Sequence, residues 1–237
     1  PLTVTRDLRY VPTRRVTLSA QLARAPNRTV IVKFKRRSKL AEAALRLACV
    51  NAASLRSKSP VPTARMIGVL PKHAAFVQEY LPGEGFDRAI AGWNISSMME
   101  EAGHVHARLH ALDVADVGDW RLGEYQQVIG EDIGWITFMI PEIGRRLEGL
   151  WQPIARRLEA ANSMRHVFCH GDFVPGQLLC GGNGLAVTDF DLARRGVDLQ
   201  EVAKWIASLK YHVPMLVNAV RTDPASATEL LRAAERA

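Results

Sequence analysis

The residues best suited to chemistry lie in two polar stretches, 170–177 and 189–191. Two short apolar segments separate them, and the glycine-rich turn between the segments predicts a β-hairpin. Because Gln177 enters the first strand and Asp189 leaves the second, we expect Asp172, Gln177 and Asp189 to meet at one end of the hairpin. Converging carboxylate and amide oxygens suit a hard cation such as Mg²⁺, which binds one or two carboxylates together with substrate phosphates.

The same residues also have an ordinary structural explanation. Gly171-Asp172 and Asp189 are residue types that occupy turns, where a carboxylate caps backbone N–H groups. Residue types alone leave both interpretations open. The motifs that accompany these residues elsewhere in the chain favour the chemical one.

The first third of the chain predicts strands and one helix. The predicted strands alternate apolar and β-branched residues with polar ones, and the helix has apolar residues at helical spacing. The prediction comprises strands over 16–22, 29–35 and 74–81, a turn over 25–28 and a helix that starts at Ser38. Lys33 and Lys35 then face the same side of their strand.

The rest of the chain predicts mainly helices around a polar hairpin. Apolar residues recur at helical spacing over 98–112 and 143–158, and Ser97 and Glu100 have the spacing of a capping box. Short strands are predicted at 166–169 and on both sides of the hairpin turn, with amphipathic helices from Leu199 onward. The predicted class is α+β, with a small β lobe over residues 1–81 and a larger helical lobe over 82–237.

Charge is divided unevenly along the chain. Residues 1–72 hold sixteen basic and two acidic side chains, whereas residues 73–237 hold fifteen basic and twenty-two acidic ones. Because the positive charge is confined to one third of the chain, a polybasic nucleic-acid binder is disfavoured.

The sequence lacks the signals of several other classes of protein. No apolar run approaches the roughly 18 residues of a membrane span, and the start lacks the layout of a signal peptide. The three cysteines form no C-x-x-C pair, which argues against a zinc or disulfide framework. The glycine motifs of P-loop, dinucleotide-binding and α/β-hydrolase proteins do not occur. We expect a soluble cytoplasmic protein, and the start without Met indicates a fragment of a longer chain.

Five motifs resemble those of the aminoglycoside phosphotransferase and choline kinase group of small-molecule kinases. His170-Gly171-Asp172 with Gln177 is similar to the family's H-G-D-x-x-x-x-N catalytic loop, and residues 187–191 are similar to its I-D-[FW]-[DE] metal strand. The other three are an L-H-A-L helix at 109–112, a hinge ending in L-P-G at 76–83, and Glu201-Val202-Ala203 in place of D-L-A. Each motif is weak alone, but five in family order form a strong signal.

The resemblance implies a two-lobed protein-kinase-like fold and a phosphotransferase. Such an enzyme would move the terminal phosphate of ATP or GTP to a hydroxyl of a small molecule, with Mg²⁺ as its metal. Asp172 would orient the acceptor hydroxyl and take its proton. Asp189 would hold Mg²⁺, with Gln177 as the second ligand.

The resemblance also implies a nucleotide site in the β lobe. Lys33 would contact the phosphates and be held by Glu42, the only acid between Asp7 and Glu79. Lys35 shares the strand face of Lys33, and the family's apolar run before its lysine favours Lys33. Backbone groups of Glu79 and Leu81 would meet the adenine. The alternative for the lysines is an exposed basic strand without a function.

Three features depart from the family pattern. Gln177 replaces the usual Asn and is one methylene longer, and Glu201 stands where the family has Asp. The expected phosphate-covering loop over 11–15 has no glycine, although Arg14 or Arg15 could supply charge instead. These departures keep a second hypothesis open, a catalytically weak or inactive nucleotide-binding pseudokinase.

Histidines offer a rival signal. His106 and His110 are four residues apart, a spacing that zinc ligands use on helices, and His104 lies nearby. No acid accompanies them at a known spacing, so we do not expect a metal there. His170, between a strand and Gly171, is expected to brace its loop by hydrogen bonds rather than to act as a base.

Residues 84–148, which supply acceptor contacts in the family, carry twelve acidic and five basic side chains. Acidic walls raise the local concentration of a cation, which favours an aminoglycoside or an amino-alcohol as acceptor. A solvated acidic helix surface is the alternative. The predicted partners are a nucleoside triphosphate and a small-molecule acceptor, with neither nucleic acid nor membrane.

Overall fold

The computed structural model describes residues 2–11, 15–23, 25–89, 94–120, 122–160, 166–182 and 184–211. Within these ranges the chain forms a five-stranded antiparallel sheet with one long helix, and then a mainly helical part with two small sheets. The predicted α+β class with two lobes is confirmed. The predicted boundary after residue 81 stays a prediction.

The β lobe contains five strands and one helix. They are β1 (Leu2–Val11), β2 (Arg15–Leu22), β3 (Ala25–Phe34), α1 (Arg37–Arg56), β4 (Met66–Leu70) and β5 (Ala75–Glu79). The strands form one sheet in the order β1-β2-β3-β5-β4, with every neighbouring pair antiparallel. All three predicted strands and the predicted helix are present, and β1 and β4 are additional.

The predicted turn over 25–28 is wrong, because β3 already begins at Ala25. A register shift after Gln21 lets Leu22 pair with Ala25, so these residues continue the strand. Pro26 is tolerated there because it has no register partner in β2 and because β5 pairs with β3 only from Val30 onward. Proline lacks an amide hydrogen and is confined to strand positions that need no donor.

The two faces of the sheet bury different partners. Alternation along β3 places Val30 and Val32 on one face, where they belong to a small apolar core. Lys33 lies on the other face, opposite Phe76 in the register, and Phe76 packs in the main core with α1. Lys33 and Lys35 therefore share the face that the rest of the molecule covers, as the period of two predicts.

The helical lobe contains five helices and five short strands among the described residues. They are β6 (Glu84–Gly85), α2 (Phe86–Ala89), α3 (Ile95–His110), α4 (Leu122–Met139), α5 (Pro141–Ala160), β7 (His166–Cys169), β8 (Leu178–Gly181), β9 (Gly184–Val187), β10 (Arg194–Val197) and α6 (Asp198–Tyr211). Strands β6, β8 and β9 form one sheet, and β7 pairs with β10. The predicted hairpin is β8 and β9.

Helix α3 has a different cap from the predicted one. Asn94 is its N-cap residue, and the Asn94 side chain accepts a hydrogen bond from the Ser97 N–H at 3.2 Å. The predicted capping box of Ser97 and Glu100 is wrong, because the helix starts earlier and Asn94 already satisfies that N–H group. The predicted apolar face is confirmed, since Met98 and Leu109 are both buried.

The hairpin that carries the candidate residues is held by the main core. This core is continuous from α1 through α3 to α6 and includes Leu178 and Val187, both fully buried. The Val187 N–H also donates to the Pro62 carbonyl oxygen at 2.8 Å. The hairpin is thereby fixed against the segment that leads into β4.

No helix in the described part of the chain is both long and apolar enough to cross a membrane.

Candidate active site

The loop between β7 and β8 depends on a glycine. Gly171 has a positive φ of 79°, and a Cβ atom there would lie 2.1 Å from the Leu192 carbonyl oxygen. Its N–H donates to Glu201 Oε1 at 2.5 Å. Only glycine accommodates both the backbone conformation and the close approach, which explains the glycine of the His170-Gly171-Asp172 motif.

His170 braces this loop, as predicted. The ring is fully buried, and Nε2 donates to the Thr188 carbonyl oxygen at 2.8 Å while Nδ1 accepts from the Asp172 N–H at 3.2 Å. Both ring nitrogens are therefore occupied. His170 connects Asp172 to the end of β9 and is not free to act as a base.

The Asp172 carboxylate is held on both oxygens and remains accessible. Oδ2 accepts from Gln177 Nε2 at 3.2 Å, and Oδ1 lies 2.7 Å from Lys204 Nζ. About a third of the Asp172 side chain is exposed, 34%. Asp172 and Gln177 thus lie together at the hairpin end, whereas the sequence did not indicate Lys204.

Asp189 lies at the same end of the hairpin in an unusual backbone conformation. Its φ and ψ are 66° and 60°, in the left-handed region. The preceding residue, Thr188, donates its N–H to the Gln177 carbonyl oxygen at 2.9 Å. Aspartate tolerates this region better than most residues, and such conformations are concentrated at functional sites. The three predicted residues are therefore brought together.

Lys33 of β3 and Lys35, just after β3, reach the segment that follows β9. Lys33 Nζ lies 3.2 Å from Asp189 Oδ1, and Lys35 forms an ion pair with Asp191. The lysine side chains are only 11% and 9% exposed. A solvated basic strand is therefore wrong for these two residues. Lys33 and Lys35 are two residues apart, and so are Asp189 and Asp191. Given the first contact, this matched spacing in the sequence predicts the second one.

Glu42 does not hold Lys33, and the predicted ion pair is wrong. Glu42 instead lies 2.6 Å from Arg46 Nη2 and 3.1 Å from Lys39 Nζ on its own helix. The hydrogen bond from Lys39 lowers the pKa of Glu42. Glu42 is close to Lys33 in sequence, but the strand face of Lys33 directs its side chain to Asp189.

Arg46 is a connection that the sequence did not indicate. It bonds Glu42 at 2.6 Å with one nitrogen and donates to the Asp191 carbonyl oxygen with another. Helix α1 thus reaches the Asp189–Asp191 segment through Arg46. Glu42 is thereby one side chain removed from that segment.

The predicted hinge residues follow β5 into the connector. Glu79 ends β5, and its N–H donates to the Arg65 carbonyl oxygen at 2.9 Å. Its carboxylate bonds the Arg65 side chain at 3.0 and 3.1 Å, which lowers the pKa of Glu79. Leu81 lies two residues further along. Contacts of Glu79 and Leu81 with adenine stay a prediction, and the predicted loop over 11–15 has its centre outside the described residues.

Glu201 anchors the loop between β7 and β8 to two histidines. Its Oε2 lies 3.3 Å from His106 Nε2 and 3.2 Å from His110 Nε2, and its Oε1 accepts from Gly171. Burial opposes ionisation, but the hydrogen bonds from His106 and His110 hold the pKa of Glu201 well below its usual range. The longer side chain thus still reaches the loop.

The three ligand atoms of this cluster lie within 4.8 Å of one another, close enough to hold a metal. The acid that the histidines lack in sequence is supplied by Glu201 from another helix. Hydrogen bonds within the cluster already account for these groups. Burial lowers the pKa of His106 and so favours its neutral form.

A small pocket adjoins the hairpin end on the covered face of the sheet. Its walls include Lys33, Phe76, Gln78, Thr188 and Asp189. The pocket therefore lies where the sheet, α1 and the hairpin meet, and it combines an apolar wall with the Lys33–Asp189 pair.

The fold is similar to those of several solved small-molecule kinases. A thermostable mutant of aminoglycoside phosphotransferase APH(4)-Ia, in ternary complex with ADP and hygromycin B, is 14% identical over 99% of this chain and 83% of its own, with a TM-score of 0.64. The choline/ethanolamine kinase family protein from Mesorhizobium loti is 14% identical over 97% of this chain and 69% of its own, with a TM-score of 0.59. Amicoumacin kinase hAmiN, in complex with AMP-PNP, Ca²⁺ and Ami, is 14% identical over 90% and 67%, with a TM-score of 0.57.

At these identities the likeness shows the fold, and it confirms the predicted two-lobed kinase-like architecture. No curated protein matches the sequence. The model of the phosphotransferase enzyme family matches residues 19–227, which is most of the chain and includes the candidate residues from Lys33 to Asp189. The chain belongs to the phosphotransferase enzyme family.

Proposed function

We propose that this protein is a kinase that transfers the terminal phosphate of ATP or GTP to a hydroxyl group of a small molecule. The observation that carries the proposal is that Asp172 and Asp189 lie at one hairpin end. Gln177 contacts Asp172 with its side chain and Thr188, the neighbour of Asp189, with its backbone, and Lys33 contacts Asp189. Phosphoryl transfer asks a protein mainly to position groups and to neutralise charge. The two carboxylates, Gln177 and Lys33 have the chemistry for both tasks.

Asp172 would orient the acceptor hydroxyl and accept its proton. Its carboxylate is partly exposed, so an acceptor can reach it, and Gln177 and Lys204 fix its two oxygens. His170 is an unsuitable base because both of its ring nitrogens are bonded. A positioned carboxylate beside the hydroxyl is the group that phosphoryl transfer requires.

Asp189 and Gln177 fit a magnesium ion, because carboxylate and amide oxygens are the hard ligands that Mg²⁺ prefers. The amide nitrogen of Gln177 donates to Asp172, and Oε1 has only a long contact, 3.5 Å, to the Thr188 hydroxyl. Gln177 can therefore offer this oxygen despite its extra methylene. A bound Mg²⁺ would supply positive charge to the nucleotide phosphates.

The nucleotide would lie against the β lobe. Lys33 is the candidate phosphate contact, since it lies beside Asp189 and lines the pocket under the sheet. Glu42 would act on this site through Arg46 and Asp191, and the backbone of Glu79 and Leu81 would meet the adenine. Structurally similar proteins bound to ADP or AMP-PNP support a nucleotide as the phosphate donor.

A cationic alcohol is the acceptor class we propose. The support is the acidic balance of residues 84–148, which would concentrate cations near the helical lobe. Hygromycin B in one similar structure is consistent with this class. Because Lys204 contacts Asp172, the cationic groups of such an acceptor would lie away from the reacting hydroxyl.

The test is Asp172→Asn. Acceptor-dependent ADP or GDP release is screened with aminoglycosides, choline, homoserine and neutral sugars, and nucleotide affinity is measured by titration calorimetry. We expect turnover to fall by about 10³-fold, within the usual range for loss of a general base, while nucleotide affinity stays unchanged. Full turnover in the variant would refute the role of Asp172, and activity on neutral sugars alone would refute the cationic acceptor.

A nucleotide-binding pseudokinase is the second candidate. It is favoured by the occupation of both Asp172 oxygens and by Gln177 in place of Asn. Its signature would be Mg²⁺-dependent thermal stabilisation by ATP, with neither hydrolysis nor transfer to any acceptor of the screen. Gln177→Asn would then leave turnover absent, whereas in an active enzyme this variant should keep it.

A further inference from the structure

Helix α6 holds the catalytic loop by two residues one turn apart. Glu201 accepts from the Gly171 N–H at 2.5 Å, and Lys204 Nζ donates to the Gly171 carbonyl oxygen at 3.1 Å. Lys204 Nζ also lies 2.7 Å from Asp172 Oδ1. A single helix therefore binds both polar groups of the Gly171 backbone and, through Lys204, the carboxylate of the next residue.

Lys204 can donate a further hydrogen bond in addition to these two contacts. An ammonium group carries three hydrogens, and the two acceptors named are its partners among the described residues. Its side chain is 39% exposed, so an ion pair with Asp172 adds little stability. The arrangement thus places a partly accessible cation against the carboxylate that would receive the acceptor hydroxyl.

We infer that Lys204 is a second phosphate-contacting cation of this site, alongside Lys33. This inference rests on the proposed kinase function. In that reaction the acceptor oxygen forms a bond to the terminal phosphorus, the bond to the bridging oxygen breaks, the nucleoside diphosphate leaves with the electron pair, and the hydroxyl proton goes to Asp172. The hydroxyl must meet phosphorus beside Asp172, so a cation in contact with Asp172 lies where negative charge is spread over the phosphoryl oxygens.

Lys204→Met tests the inference, with Lys210→Met as the matched control because it removes the same charge from the same helix. ATP turnover, to water and to any acceptor of the screen, is measured together with binding of MgADP alone and MgADP with aluminium fluoride, a mimic of the transferred phosphoryl group. We expect Lys204→Met to lower kcat by about 10²-fold, the usual cost of one preorganised charge contact in a transition state. Affinity for the fluoride complex should fall by a similar factor, with MgADP affinity unchanged. Lys204→Arg should recover part of both losses.

The outcomes separate this inference from the proposed function. Wild-type kcat and fluoride-complex affinity in Lys204→Met would overturn the role of Lys204 and leave the kinase proposal intact. A rise in acceptor KM with unchanged kcat would also overturn it, because Lys204 would then bind only the acceptor. Wild-type protein that neither binds MgADP nor turns over ATP would overturn both. If Lys204→Met does not fold, the same measurements on Lys204→Gln test the role of Lys204.

Discussion

The two candidate carboxylates of the hairpin end each contact a lysine, but in different surroundings. Asp189 and its partner Lys33 are 14% and 11% exposed, whereas Asp172 and its partner Lys204 are 34% and 39% exposed. The first pair joins the sheet to the hairpin, and the second lies within the helical lobe. The same chemical pairing therefore occurs once with little exposure to solvent and once with about a third of each side chain exposed.

The difference in burial assigns the two pairs different physical roles. Removing one member of a buried ion pair leaves a desolvated charge, which costs about 3–5 kcal/mol. An exposed pair is worth about 0–1 kcal/mol, because water and salt solvate each partner. Asp189 should thus contribute to both stability and chemistry, whereas Asp172 should contribute to chemistry alone.

The largest expected effect is on stability, in Asp189→Asn. Asparagine also tolerates the left-handed backbone, so the change removes charge from the Lys33 contact without new strain. We expect the free energy of unfolding to fall by about 3 kcal/mol in urea titrations, because the mostly buried Lys33 ammonium loses its carboxylate. Asp172→Asn is the matched control and should change it by less than about 1 kcal/mol. Equal losses in the two variants would contradict the comparison.

These contacts also mark how far sequence patterns reach. Asp172, Gln177 and Asp189 could be expected to meet because one short hairpin connects them. The Lys33–Asp189 contact spans 156 residues, and no local pattern specifies which acid meets a lysine across that separation. Glu42 is the only acid between Asp7 and Glu79, but the folded chain brings the more distant Asp189 to Lys33.

Local sequence patterns also failed to predict part of the secondary structure. Strands and helices with clean periodicity, such as β3 and α3, were predicted, whereas β1 and β4 were not. Two register irregularities interrupt the alternation of β1, and β4 is a short strand with Gly68 at its own irregularity. In each case the pairing of neighbouring strands supplies the regularity that the local sequence lacks.

The second expected effect is a pH dependence of the unfolding free energy. It arises from the cluster of His106, His110 and Glu201, which holds the loop that carries Asp172. Folding keeps the pKa of His106 below its usual value through burial, and keeps that of Glu201 well below its usual value mainly through hydrogen bonds from His106 and His110. A lowered folded pKa gives stability that is fully present above the unfolded pKa and is lost as pH falls. We therefore expect the unfolding free energy to decline below about pH 6.5, the ordinary value for histidine.

Two variants show which residue causes each part of this decline. For each variant, the urea midpoint of unfolding is measured from pH 8 to pH 3. His106→Asn should flatten the part that begins near pH 6.5. Glu201→Gln should flatten the part below about pH 4.5, where ordinary glutamates titrate. A wild-type profile that stays level down to pH 4 would show that this cluster is not held as the structure has it.

The smallest expected effect is that of Glu42→Gln. Glu42 is 42% exposed and pairs with Arg46 and Lys39 on its own helix, and such pairs contribute about 0.3–0.5 kcal/mol. We expect a stability loss of that size and a change in nucleotide affinity of less than about threefold, because Lys33 keeps its own contact with Asp189. Arg46→Met should have the larger effect, since Arg46 is the residue that reaches the Asp191 carbonyl oxygen. A loss of nucleotide binding in Glu42→Gln without one in Arg46→Met would mean that Glu42 does act on Lys33 when nucleotide is bound.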